Sequence, residues 1–115
     1  MLQRHNPKQF FHGAVERGGT LYLSGLTADD RTLDLKGQTA QVLNKLEDVL
    51  VGLGANKAHV VSATVYITDM VEKDQLNEAW LEFFAPNELP ARATVGVASL
   101  GTGVLVEVAC VAVRP

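Results

Sequence analysis

At 115 residues the chain can build one domain with a modest core and is too short for two. A formal charge of −3 with no basic tract excludes a general affinity for nucleic acid. A single cysteine, Cys110, excludes an intrachain disulfide and fits a reducing compartment. No apolar run approaches the roughly 20 residues that span a bilayer.

Met1–Pro7 lacks the apolar segment of a signal peptide, so a soluble cytoplasmic protein is expected. The first dozen residues are polar apart from Phe10 and Phe11. Gly18-Gly19 is a strong two-residue turn signal, and residues 11–17 and 20–25 are expected to pair across it as a hairpin. Ser24-Gly25 ends the second strand, and 27–34 reads as polar loop. From Lys36 to about Leu53 a helix is expected, with Leu43, Leu46, Leu50 and Leu53 on one face and Gly54 just past its end. Residues 59–68 alternate as a strand, Val61, Ala63, Val65 and Ile67 against Ser62, Thr64, Tyr66 and Thr68. A second helix is expected over 71–85, started by Asp69 and Glu72 in a capping-box-like pattern and stopped by Pro86. Leu76, Ala79, Trp80 and Phe83 form its buried stripe.

Residues 90–115 hold two apolar runs, 92–98 and 104–113, around the connection Ser99–Gly103, the pattern of a second β-hairpin. Each run carries one charge, Arg92 and Glu107. Glu107 lies among Val104, Leu105, Val106 and Val108, where an isolated carboxylate taken out of water is costly. It must meet water, a cation or a ligand. If Ala98 pairs with Leu105, Gly96 faces Glu107 and Arg92 shares its face. If Ala98 pairs with Val104, the two charges lie on opposite faces. The pattern leaves both registers open. The first is preferred, because the small residues Thr94, Gly96 and Ala98 would leave room for a small molecule beside the charges.

The element order predicts one α+β domain, 1–115, with two helices packed on one face of a mixed sheet. Val104–Val113 is apolar on both sides, yet one helical layer covers only one of them. Self-association is the simplest way to cover the other.

Four segments carry a resemblance. Pro90-Ala91-Arg92-Ala93-Thr94-Val95-Gly96-Val97-Ala98 with Leu105-Val106-Glu107-Val108 is the first. Gly37-Gln38-Thr39-Ala40-Gln41, Val65-Tyr66-Ile67-Thr68-Asp69-Met70 and Asn77-Glu78-Ala79-Trp80-Leu81-Glu82-Phe83-Phe84 are the others. Together they resemble the RidA (YjgF-type) enamine/imine deaminase family over nearly the whole chain. The resemblance implies a chorismate-mutase-like fold and a homotrimer with sites in the clefts between subunits. It implies hydrolysis of 2-imino and 2-enamino acids, of the 2-aminoacrylate or 2-iminopropanoate type, to 2-keto acids and ammonia. Such chemistry would protect pyridoxal-phosphate enzymes from damage, and calls for no metal or organic cofactor.

By the same resemblance Arg92 would hold the substrate carboxylate bidentately. Glu107 would deprotonate a water for attack on the imine carbon, or relay a proton to departing ammonia. Ser24, Gly25 and Thr94 would line the pocket, and Asn77 stands where the family has a site asparagine. Phe11 replaces a frequent tyrosine, Leu26 a frequent glutamine and Thr94 a frequent cysteine, which implies a divergent branch with a different or slower substrate preference. Plainer readings stand beside these: Arg92 as a structural ion-pair partner, Glu107 as an edge charge, Asn77 as a helix-surface residue, the whole chain as a non-catalytic binder of small carboxylates. The ribonuclease activity in older family labels fits poorly with an acidic chain lacking a basic aromatic groove. His5, His12 and His59 show no metal-ligand spacing with one another or with Cys110. Cys110, Trp80 and Phe83-Phe84 read as core or interface.

Overall fold

Gly18 and Gly19 both take positive φ, +58° and +82°, the pair of left-handed residues that a type I′ turn requires. The computed structural model describes all residues, 1–115, and that turn joins β2 (His12–Arg17) to β3 (Thr20–Leu23) as expected. Before them lies a strand the pattern did not announce, β1 (Gln3–Pro7), antiparallel to β2 at the sheet's edge. Its residues are polar and mostly exposed, so no alternation marks it.

Helix α1 (Leu35–Gly52) is capped by the Asp34 carboxylate, which accepts from the Gly37 N–H. At its other end the Ala55 N–H reaches the Leu50 carbonyl and the Gly54 N–H the Val51 carbonyl, a Schellman closure with Gly54 at φ +82°. Strand β4 (Val60–Ile67) carries a bulge: Val60 pairs with Ala112 and Ser62 with Val111, leaving Val61 unpaired and exposed instead of on the apolar side. Beyond the bulge Ala63, Val65 and Ile67 are buried as the alternation predicts. Asp69 caps a 3-10 turn at Met70–Glu72, so α2 (Lys73–Phe83) starts later than expected.

The terminal hairpin does not exist. Strand β5 (Ala91–Gly96) runs parallel to β4, reached through α2 as a crossover. Strand β6 (Val106–Val113) lies antiparallel between β3 and β4, giving the order β1-β2-β3-β6-β4-β5. The connection 97–105 crosses the end of β4, where the Val97 N–H donates to the Ile67 carbonyl and the Thr68 N–H to the Leu105 carbonyl. Both registers drawn across residues 98–105 are therefore corrected. A strand apolar on both sides sits in the middle of the sheet, and β5 takes the outer edge.

One core forms on the covered face. Ala63, Val65 and Ile67 of β4 and Val106, Val108, Cys110 and Ala112 of β6 pack with Leu43, Leu46 and Leu50 of α1 and Leu76 and Trp80 of α2. Each such leucine, fully buried, contributes about 1.5–3 kcal/mol. Burial pushes the Cys110 thiol up to about 12, which makes it an inert core residue. On the edge of the same face Glu16 is buried and chelated by Arg114, whose guanidinium also donates to the Leu53 carbonyl at the end of α1. His5 closes that cluster at 3.0 Å from Glu16.

The other face carries no helix. Register places Tyr22, Tyr66, Ala93, Val95, Ala109, Val111 and Val113 there, with Tyr22 54%, Val95 39% and Val113 37% exposed. The face is mostly apolar, with Ser62, Thr64 and Glu107 also on it.

Candidate functional site: a carboxylate in a cleft and an arginine behind the sheet

After Leu23 the chain leaves β3 but returns to the sheet once, where Leu26 and Val108 exchange N–H to carbonyl bonds of 2.9 and 3.0 Å. That bridge lays Ser24 and Gly25 beside Glu107. The carboxylate lies so close to the chain that a Cβ on Gly25 would stand 2.3 Å from Glu107 Oε2. Only glycine leaves the Glu107 carboxylate in this position. The cleft so formed has a volume of about 410 Å³, within the range of small-molecule sites, and is lined by Phe11, Ser24, Gly25, Thr27, Arg31, Leu100, Val104 and Glu107. Glu107 is half-buried and has neither a hydrogen bond nor an ion pair in the chain. A carboxylate left free in a cleft can take a proton from water or a ligand.

Arg92 lies elsewhere. It pairs with Ala63, a core residue, whereas Glu107 pairs with Tyr66 on the open face. The two charges expected on one face are thus on opposite faces of one chain. Arg92 sits in a separate recess of about 350 Å³ with Asn77, Trp80, Leu81, Leu89 and Pro90. Its Nη2 donates to Asn77 Oδ1 at 2.7 Å, and Cζ lies 5.1 Å from the centre of the Trp80 ring. Partial burial lowers its pKa, since neither contact supplies a negative charge. The structural ion-pair reading therefore fails, because Arg92 has no acidic partner. Thr94 pairs with Val65 on the same side as Arg92, and Gly96 faces Met70, where a Cβ would come within 2.9 Å of Met70 Cγ. The small-residue pocket expected on the charged face is corrected accordingly.

The expected site residues thus divide into Phe11, Ser24, Gly25 and Glu107 in one cleft and Arg92 and Asn77 in the other recess, while Thr94 lines neither. Arg31 and Thr27 of the cleft belong to a loop that gave no signal beyond its polarity. Two of the three histidines have ordinary tasks: His5 binds Glu16, and His59 Nδ1 accepts from the Asn56 N–H at 3.0 Å.

A mixed sheet with both helices on one face is the architecture of the YjgF/RidA class of α+β domains, and here an open cleft lies beside residues 24–27. The chain belongs to that family: residues 2–114 match the family model described as Endoribonuclease L-PSP. It is 36% identical over 112 residues to a RutC family protein of Synechocystis, covering 91% of this chain and 86% of that one. It is 30% identical over 105 residues to the chloroplastic protein named Reactive Intermediate Deaminase A of Arabidopsis thaliana, covering 86% of this chain and 56% of that one. Among solved structures, a YjgF family member from Neisseria meningitidis superposes with a TM-score of 0.92 at 28% identity, over 100% of this chain and 96% of that one.

Proposed function

We propose that this protein hydrolyses reactive 2-imino and 2-enamino acids to 2-keto acids and ammonia, as a homotrimer with its sites between subunits. The observation that carries the reading is the partnerless Glu107 carboxylate against Gly25 in a cleft of ligand size. The name of the Arabidopsis thaliana relative supports the reaction class. The apolar open face supports the assembly.

In the reaction Glu107 accepts a proton from water as its oxygen attacks the imine carbon. The nitrogen takes that proton back to give the tetrahedral carbinolamine; Glu107 then moves the hydroxyl proton to nitrogen, the C–N bond breaks, ammonia leaves and the carbonyl forms. One water enters and no electrons are exchanged. The imine is already an activated electrophile, so orientation and one base suffice. Arg92 of a neighbouring copy, preset by Asn77 and stacked on Trp80, holds the substrate carboxylate through its free N–H groups. No single chain can supply both charges to one ligand.

The test is acceleration of pyruvate release from 2-aminoacrylate generated in situ, with Arg92→Ala and Glu107→Gln beside the wild type. Loss of the acceleration in both variants supports the reading, and a wild type no faster than buffer rejects it. A second reading, a non-catalytic binder of small carboxylates, is favoured by one observation: Phe11, more than half exposed at the cleft, brings no hydroxyl to it. That reading predicts saturable keto-acid binding without turnover. Ribonuclease activity is disfavoured by a net charge of −3 and a carboxylate within the cleft.

A further inference from the structure

The cleft holds a cation of its own. Arg31 lines it together with Glu107, and the two form no ion pair. Its neighbours in sequence, Asp29 and Asp30, are both engaged away from it. Asp29 binds Lys45 Nζ at 2.9 Å, and Asp30 accepts from the Thr32 hydroxyl at 2.6 Å and the Thr32 N–H at 3.0 Å. The one hydrogen bond of the Arg31 side chain is from Nη1 to the Thr102 carbonyl at 3.2 Å, which leaves the rest of its fork of donors free.

The loop carrying Arg31 is fixed in place by the face of α1. Gln38, fully buried, donates to the Leu33 and Gly103 carbonyls at 3.0 Å each and accepts from the Leu105 N–H at 3.0 Å. Gln41 Oε1 accepts from the Asp30 N–H at 2.7 Å, and Lys45 Nζ donates to the Thr27 carbonyl at 2.7 Å. The two glutamines of Gly37-Gln38-Thr39-Ala40-Gln41 thus hold the two walls of the cleft together, and with them the base of Arg31. The fixed loop holds the base of this arginine at the cleft, and a guanidinium there with no acidic partner is open to a carboxylate.

We infer that Arg31 is a specificity-determining residue that binds a second, distal carboxylate, so that the preferred substrates are 2-imino dicarboxylic acids. The inference rests on the proposed deaminase reading, in which Arg92 of a neighbouring copy takes the carboxylate next to the imine. Arg31 lines the same cleft of about 410 Å³ as Glu107, and so can reach a second carboxylate on a ligand held there.

The experiment compares kcat/KM for 2-iminoglutarate and 2-iminobutanoate, each generated in situ from its amino acid, in the wild type, Arg31→Ala and Arg31→Lys. The wild type should favour the dicarboxylate by about tenfold or more, the worth of one charge-assisted pair. Arg31→Ala should bring the ratio close to one, and Arg31→Lys should restore part of it. A wild-type ratio near one, or a ratio that Arg31→Ala leaves unchanged because both substrates lose equally, overturns the inference. If the wild type turns over neither substrate, the deaminase reading fails, and calorimetric binding of 2-oxoglutarate against 2-oxobutanoate decides on Arg31 alone. Tighter binding of 2-oxoglutarate that Arg31→Ala abolishes sustains the role of Arg31, and equal binding ends it.

Discussion

Arg92 and Glu107 flank the same strand, β4, and face opposite ways across it: Arg92 is level with buried Ala63, Glu107 with Tyr66 on the open face. Neither has a counter-charge in the chain. Arg92 is held by a neutral amide and an indole, and Glu107 by nothing. In the proposed reaction these two unpaired charges serve as two halves of one site, united by a second copy.

Glu107→Gln should cost about 10²–10⁴ in kcat, the usual worth of a positioned base. Its folding stability should stay at the wild-type value, because the carboxylate makes no hydrogen bond in the folded chain. Initial rates and a urea midpoint on the same preparation check both halves.

Gly25→Ala is a sharper probe of the cleft. The new methyl group would sit 2.3 Å from Glu107 Oε2, and the end of a flexible side chain moves more readily than the backbone it rests on. The variant should fold normally and lose kcat through displacement of the base. A Gly25→Ala enzyme with full kcat would show that the position of Glu107 does not govern the rate.

Gln38→Leu removes a buried amide and leaves the Leu105 N–H and the Leu33 and Gly103 carbonyls without their partner. The expected destabilisation is about 2–3 kcal/mol, read from urea unfolding. An unchanged midpoint would show that the two cleft walls are not joined through this residue.

Local patterns in this chain were readable where a local cause fixes the structure. Gly18-Gly19 makes its turn because both residues need positive φ, Gly54 closes α1 for the same reason, and Ala63, Val65 and Ile67 alternate into the core. The partner of β5 was not readable. Two apolar runs around a glycine-containing connection look alike whether they pair with each other or a third strand comes between them. β1 escaped notice because an exposed polar edge strand has no alternation to show. Glu107 stood out from its apolar neighbours, whereas Arg31 became visible only once the buried Gln38 of α1 had joined the loop at Leu33 to the loop at Gly103 and Leu105.

Acid should unfold the protein partly through Glu16. Hydrogen bonds from Arg114 and His5 hold its carboxyl at about 2, below the ordinary carboxylate value. A folded pKa below the unfolded one gives stability that is fully present above the unfolded value of about 4.3 and is lost as the pH falls through about 2. Glu16→Gln should lower stability at pH 7 and flatten the acid limb between those values. Chemical denaturation at a series of pH values measures it, and parallel acid limbs for variant and wild type would contradict the assignment.

The proposed reaction requires Glu107 of one copy and Arg92 of another to serve the same substrate. It is tested most directly by co-assembling Arg92→Ala and Glu107→Gln chains, each inactive alone, after mixing them unfolded and refolding together. Random assembly gives an intact pair at roughly one interface in four, so about a quarter of wild-type activity should return. A mixture as inactive as its two components would contradict a site shared between subunits.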